Sequence, residues 1–164
     1  MVIYMWWFLT PKVVFGEDAI DYLETLEGKK ALIITDKVIR KMGYVDIVTQ
    51  KLLKAGFEFQ IYDEVEPEPS YITTKKGAQL ALDFEPDKII GVGGGSVLDT
   101  AKMVFVFYER PDLNIEDVHP FVNLNLRKKA ILICIPTTAG TGSEVTWAKA
   151  RSSHKRVGTG YSNR

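Results

Sequence analysis

Short apolar segments alternate with longer amphipathic segments along most of the chain. Four apolar segments are rich in β-branched residues and too short for helices, and they predict strands at residues 31–35, 57–62, 88–92 and 130–135. We expect three of these strands to be buried. Between them, apolar positions recur at helical spacing, as in Val48, Leu52 and Ala55 and again in Ala78, Ala81 and Leu82. This alternation predicts a doubly wound α/β domain, with a mostly parallel sheet covered by helices on both faces.

Glycine and proline mark where the predicted elements end. Gly56 stops the first helix just before a strand. Residues 65–70 contain two prolines and two glutamates, which favours a solvated loop leading into a helix near Ile72. Residues 109–129 are polar and predict a long connection with a short helix.

Composition and charge limit the classes of function. The chain is 46% hydrophobic and 26% charged, which is typical of a globular protein, and it has no apolar run of the ~18 residues that a membrane span needs. Residues 1–9 are apolar and aromatic but lack a basic start, so they indicate a buried strand that could pair across a dimer rather than a signal peptide. The single cysteine, Cys134, lies in an apolar strand and cannot form an internal disulfide. We therefore expect a cytoplasmic protein with no membrane partner.

The charge balance hides an unusual C-terminal segment. Lysine plus arginine and aspartate plus glutamate number 21 each, which gives no argument for a nucleic-acid partner. Residues 149–164, however, contain five cations, no acid and no periodicity. We interpret them as a disordered tail from a frame-shifted or early-ended reading, which predicts a domain of residues 1–148. The segment lacks interleaved aromatics, so a nucleic-acid-binding tail is the weaker interpretation.

A glycine loop is the strongest candidate for chemistry. The strand at residues 88–92 runs into Gly93, Gly94, Gly95 and Ser96, and a largely apolar helix follows. Glycines allow close approach of the backbone to a ligand, and a helix N-terminus attracts anions, so the loop predicts a pyrophosphate cradle. Two alternatives stay open, namely a tight turn without a ligand and a capping box formed by Ser96 with Asp99.

Two more strand ends carry polar residues. The strand at residues 130–135 is followed by Thr137, Thr138, Thr141 and Ser143, and the strand at residues 31–35 is followed by Asp36. Ligands of open α/β sheets bind outside the carboxyl ends of the strands, where an acid can hold ribose hydroxyls and repel a 2′-phosphate. The usual dinucleotide fingerprint places its acid about 20 residues after the glycines, whereas Asp36 precedes them. The alternative for Asp36 is the N-cap of a helix over Lys37–Lys41.

Several motifs together resemble one family. GGGSVLDTAK at residues 93–102 and PTTAGTGSEVT at residues 136–146 resemble two long motifs of the iron-containing alcohol dehydrogenases. ITDK at residues 34–37 and PKVVFG at residues 11–16 agree with the first strands of that family. The resemblance implies a Rossmann-like domain that binds NAD or NADP, followed by a helical domain that holds a divalent metal. It also implies hydride transfer between an alcohol, or its aldehyde, and the nicotinamide.

The resemblance implies roles for particular residues. Gly94, Gly95 and Ser96 would contact the pyrophosphate, and Asp99 would lie near the nicotinamide. The groove would be lined by Thr137, Thr138, Thr141 and Ser143, and Asp36 would favour NAD over NADP.

The resemblance ends near Ala148, before the aspartate and three histidines that hold iron or zinc in the family. His119 and His154, the two histidines of this sequence, fall outside the family motifs and we expect both to be solvated. We therefore expect the cofactor-binding part of an alcohol dehydrogenase, without the helical metal-binding domain and with little or no turnover of its own. The alternative is a non-catalytic module that binds NAD or self-associates. In both cases we expect a homo-oligomer.

Overall fold

One parallel sheet forms the centre of the molecule. The structure is a computed structural model that describes residues 11–118 and 123–145. Its strands are β1 (Lys30–Ile34), β2 (Glu58–Tyr62), β3 (Lys88–Gly93) and β4 (Ile131–Pro136), in the sheet order β2-β1-β3-β4. Each strand lies within one residue of its predicted bounds. The predictions for residues 1–9, His119, His154 and residues 149–164 fall outside the described residues.

Helices connect the strands. They are α1 (Lys37–Lys41), α2 (Tyr44–Lys54), α3 (Tyr71–Phe84) and α4 (Gly95–Glu109), and 3₁₀ helices span Ala19–Thr25 and Ile115–Asp117. Ser70 is the N-cap of α3, and its hydroxyl accepts a hydrogen bond from the Thr73 N–H. The loop at residues 65–70 therefore leads into a helix near Ile72, as predicted. The long connection with a short helix is confirmed as well. Residues 11–15 form neither helix nor strand. The strand character that the family resemblance implied for residues 11–16 is therefore not found there.

Helices cover both faces of the sheet, as predicted. Alternate residues of a strand point to opposite faces. Ala31 and Ile33 of β1 belong to a hydrophobic core with α2, while Leu32 and Ile34 belong to a second core with α3 and α4. No helix within the described residues is long and apolar enough to cross a membrane.

The central strands are more deeply buried than the outer ones. All of β3 and all but the first residue of β1 are buried, whereas β2 and β4 are partly exposed. The expectation of three buried strands is therefore wrong for one of them. The reason is position, because β2 and β4 each have a neighbour on one side only within the described sheet.

The sheet has a switch point between β1 and β3. The connection from β1 leads outward to β2, whereas the connection from β3 leads outward in the other direction to β4. Connections that diverge in this way leave a crevice at the carboxyl ends of the two central strands, which is the usual ligand site of such sheets. Asp36 follows β1 and the glycine loop follows β3, so both lie at this crevice.

Close packing fixes α4 on β3. A Cβ atom at Gly91 would lie 2.9 Å from the Cβ of Ala101, and one at Gly77 would lie 2.8 Å from a methyl group of Val104. Glycine at both positions lets α4 approach β3 on one side and α3 on the other. The beginning of α4 is therefore held rigidly next to the carboxyl end of β3.

Candidate nucleotide-binding groove

A groove of about 600 Å³ opens at the switch point. Four chain segments form its walls: the residues after β1, the loop after β2, the first turns of α3 and the beginning of α4. The lining residues are Asp36, Lys37, Val38, Ile39, Asp63, Glu64, Val65, Glu66, Pro67, Thr73, Lys76, Gly94, Gly95, Ser96 and Val97. The structure thus brings Asp36 and the glycine loop, 57 positions apart in the sequence, to one cavity.

The N-terminus of α4 carries no side-chain cap. Its N-cap residue is Gly94, which has no side chain that could accept a hydrogen bond from the first turn. The first N–H groups of a helix have no partner within the helix and favour an anion. An uncapped helix end that lines a groove fits a phosphate group.

The capping box suggested for Ser96 and Asp99 is wrong. The helix begins at Gly95, so Ser96 already lies inside the first turn and not at the cap. Its hydroxyl donates a hydrogen bond to the carbonyl oxygen of Pro67, 2.5 Å away. Asp99 Oδ1 lies 2.8 Å from Lys102 Nζ.

Glycine is required at the turn for steric reasons. A Cβ at Gly93 would lie 2.7 Å from the Val97 side chain, which is closer than atoms can approach. At Gly94 the nearest atom is Thr138 Oγ1 at 3.4 Å, which is ordinary contact. Packing alone therefore explains Gly93, whereas Gly94 has space next to the groove.

Asp36 caps α1. Its Oδ1 accepts hydrogen bonds from the N–H groups of Val38 and Ile39, both at 2.8 Å. The N-cap interpretation, one of the two left open by the sequence, is confirmed. The cap uses Oδ1 alone, and Oδ2 accepts no hydrogen bond from the described residues, so the carboxylate can also meet a ligand in the groove.

The loop after β4 lies on the other side of the glycine loop. The Thr137 N–H donates to the Gly93 carbonyl at 3.0 Å, which extends the pairing of β3 with β4. Ser143 and Thr141 lie beside Gly95 as Thr138 lies beside Gly94. None of these four hydroxyl residues lines the groove that contains Asp36. The glycine loop therefore separates the two predicted halves of the site.

Lys102 links α4 to the loop after β4, and sequence reasoning missed it. Its Nζ donates a hydrogen bond to the Ser143 carbonyl at 2.7 Å in addition to its ion pair with Asp99. Its side chain is only 15% exposed. The spacing of Asp99 and Lys102 on one helix face was the available signal.

The acidic loop after β2 is the second feature that sequence reasoning missed. Asp63, Glu64 and Glu66 line the groove, so part of the predicted solvated loop is a wall of the site. Arg40 pairs with Asp63 and Lys76 pairs with Glu64. The acids were visible in the sequence, but only the strand order places them beside Asp36.

Two further features of the described residues bear on chemistry, namely possible metal ligands and the thiol of Cys134. In the described parts of the chain, no group of three or more histidine, cysteine, aspartate or glutamate residues is arranged to hold a metal ion. These described residues therefore do not fit a metal centre. Cys134 is partly buried in β4, and burial raises the pKa of its thiol to about 11, so the group is protonated at neutral pH.

Comparison with known sequences identifies relatives. The family model of the iron-containing alcohol dehydrogenases matches residues 10–162. The chain is 43% identical over 136 residues to an NADPH-dependent butanol dehydrogenase of Clostridium saccharobutylicum, covering 82% of this chain and 35% of that protein. It is 41% identical over 162 residues to aldehyde-alcohol dehydrogenase 2 of Entamoeba histolytica, covering 92% of this chain and 19% of that protein. The chain thus spans about a third or less of the length of these relatives.

Solved structures agree with the sequence comparison. An iron-containing alcohol dehydrogenase from Thermococcus thioreducens matches with a TM-score of 0.75 and 30% identity, covering 87% of this chain and 39% of that chain. A second one from Thermotoga maritima matches with a TM-score of 0.73 and 35% identity, covering 87% and 40%. The chain therefore belongs to the iron-containing alcohol dehydrogenase family and corresponds to its N-terminal, Rossmann-like part.

Proposed function

We propose that the groove binds a nicotinamide dinucleotide and prefers NAD to NADP. One observation carries the proposal: a cavity at the switch point of the sheet joins the uncapped N-terminus of α4 to the carboxylate of Asp36. A pyrophosphate needs the first of these features, and an adenosine ribose with a free 2′-hydroxyl can use the second.

The contacts suggest how each residue acts. Gly94, Gly95 and Ser96 offer backbone N–H groups to the pyrophosphate, and the close fit of Gly93 on Val97 holds the turn that presents them. Ser96 acts through its N–H because its hydroxyl proton is donated to Pro67. Asp36 accepts a hydrogen bond from the ribose through Oδ2.

The nicotinamide half would lie toward β4. Asp99 and the hydroxyl residues after β4 lie on that side of the glycine loop, and Lys102 holds them together. The hydroxyl residues are Thr137, Thr138, Thr141 and Ser143. In this arrangement the dinucleotide crosses the glycine loop at its pyrophosphate, with one half on each side.

For the whole protein we propose alcohol dehydrogenase activity, in which the nicotinamide exchanges a hydride with an alcohol or aldehyde. The relatives are alcohol dehydrogenases by name, and the residues for a metal would come from outside the described part of the chain. Residues 1–148 would form the cofactor-binding domain, acting in a homo-oligomer, and these 164 residues alone would show little or no turnover.

Calorimetric titration with NADH and NADPH tests the cofactor preference. We expect NADH to bind at least about tenfold more tightly, because the 2′-phosphate of NADPH meets Asp36. Asp36→Asn keeps an N-cap for α1 but removes the charge, so it should strengthen NADPH binding with unchanged stability. Asp36→Ala is the structural control, since it loses the cap and should cost about 1 kcal/mol of stability.

Two results would contradict the proposal. If neither dinucleotide binds to the folded protein, the groove is not a cofactor site. If NADPH binds as tightly as NADH and Asp36→Asn changes neither affinity, the assignment of Asp36 is wrong.

A further inference from the structure

We infer that Glu64 is a second determinant of cofactor preference, acting beside Asp36. The inference rests on the proposed dinucleotide site. It concerns a residue from the loop after β2, which is remote from the glycine loop in sequence and belongs to none of the motifs that identify the family.

The backbone places Glu64 directly opposite Asp36. The two residues form an isolated antiparallel bridge just beyond the ends of β1 and β2. The pairing is fixed on both sides, because the Thr35 N–H donates to the Tyr62 carbonyl at 2.9 Å and the Val65 N–H donates to the Thr35 carbonyl at 3.4 Å. Side chains that are directly opposite in an antiparallel pair lie on the same face, with Cβ atoms about 4.5–5.5 Å apart. Both side chains line the groove.

The charge of Glu64 is only partly compensated. Its ion pair with Lys76 is long, with 3.4 Å between Lys76 Nζ and Glu64 Oε2. The side chain of Lys76 is 62% exposed and that of Glu64 is 55% exposed. Exposed ion pairs of this kind are weak. Asp63, by comparison, forms its ion pair with Arg40, and its own side chain is only 24% exposed. Of these two acids, Glu64 therefore carries the less compensated negative charge, and it is the one that is paired with Asp36.

The adjacent carboxylates of Asp36 and Glu64 would interact differently with NAD and with NADP. A ribose with a free 2′-hydroxyl can donate a hydrogen bond to one carboxylate and is neutral toward the other. A 2′-phosphate carries negative charge and would meet both. The charge of Glu64 also acts on a neighbouring side chain. Burial, followed by the negative charges of Glu64 and Glu66, raises the pKa of Tyr62 to about 12.

Four substitutions test the inference by calorimetry with NADH and NADPH. Glu64→Gln should strengthen NADPH binding about threefold to tenfold and leave NADH binding within about twofold. Lys76→Met removes the counter-charge and should weaken NADPH binding further. Asp36→Asn combined with Glu64→Gln should bind NADPH more tightly than either single variant. Glu68→Gln is the matched control, since Glu68 is exposed on the same loop but does not line the groove.

The outcomes separate this inference from the proposed function. If the wild-type protein prefers NADH but Glu64→Gln leaves NADPH binding unchanged, or changes it no more than Glu68→Gln does, the inference is overturned while the dinucleotide site stands. If the folded wild-type protein binds neither cofactor, the proposed function fails and the inference fails with it. Thermal denaturation of each variant shows that the substitution has not unfolded the protein.

Discussion

Gly93 and Gly94 are neighbours with different reasons to be glycine. A Cβ at Gly93 would collide with the Val97 side chain at 2.7 Å, whereas a Cβ at Gly94 would touch Thr138 Oγ1 at an acceptable 3.4 Å. Gly94 lines the groove and begins α4. The first glycine thus serves the fold, and the second leaves room for a ligand.

Substituting each glycine should separate these roles. Gly93→Ala should lower the free energy of unfolding by about 1–3 kcal/mol, because α4 must shift to relieve the clash. Gly94→Ala should leave stability nearly unchanged but weaken NADH binding at least about tenfold, since a methyl group would stand where the pyrophosphate approaches. Urea denaturation and calorimetry measure the two effects. Normal NADH affinity in Gly94→Ala would show that no ligand approaches the backbone there.

At the residue scale, the sequence predicted the polar groups of the site better than their partners. Asp36 was compatible with an N-cap and with a ribose ligand because both roles need a carboxylate after a strand, and the structure confirms the cap. The capping box at Ser96 failed because the glycine run lets α4 begin two residues earlier, with Gly94 as the N-cap. A partner such as the Pro67 carbonyl cannot be read from local sequence, since it lies 29 residues away.

At the scale of elements, the strands and helices follow from local pattern. Each strand is a short apolar run bounded by glycine, proline or charge, so its bounds were predictable to one residue. Strand order is a property of the whole sheet and was not predictable. For that reason the loop after β2 was interpreted as solvated, although the order β2-β1-β3-β4 makes it a wall of the groove.

Lys102 joins α4 to the loop after β4, so its removal should loosen one side of the site. Lys102→Met loses the bonds to Asp99 and to the Ser143 carbonyl. We expect NADH affinity to fall about tenfold, because a partly buried charge-assisted hydrogen bond is lost and Asp99 loses its ion pair with Lys102. The ratio of NADH to NADPH affinity should not change, since Asp36 lies on the other side of the glycine loop.

Two comparisons make the Lys102 experiment specific. Lys102→Arg keeps the charge and should restore part of the affinity. Lys75→Met removes another partly buried lysine, whose Nζ lies 3.8 Å from the Phe107 ring centroid on α4, and should leave cofactor binding unchanged. If Lys102→Met alters the ratio of NADH to NADPH affinity rather than lowering both affinities equally, the division of the site into two halves is incorrect.

At the scale of the whole molecule, the chain corresponds to part of a larger family fold. It covers 39% of the Thermococcus thioreducens enzyme and 35% of the Clostridium saccharobutylicum enzyme. The fold of this part was predictable because its strand and helix pattern is regular and its glycine motifs are specific. The domain boundary at residue 148 stays a prediction, and the family match itself extends to residue 162.

Catalysis by the chain alone can be measured directly. We expect no alcohol oxidation above background when these 164 residues are supplied with NAD, an alcohol and Fe²⁺ or Zn²⁺. The expectation rests on the proposed function, in which the metal that polarises the substrate is held by residues outside the described part of the chain. The formation of NADH is followed by its absorbance, and a full-length relative serves as positive control. Turnover that a chelator abolishes would contradict the expectation.

In the proposed function the pyrophosphate of a dinucleotide binds at the N-terminus of α4. The most direct measurement is NMR spectroscopy of the ¹⁵N-labelled protein during titration with NAD. We expect the amide signals of Gly94, Gly95 and Ser96 to shift first and most strongly, together with those of Val38 and Ile39, whose N–H groups Asp36 caps. Saturating NAD that leaves these signals in place, or shifts only signals from the opposite edge of the sheet, would contradict it.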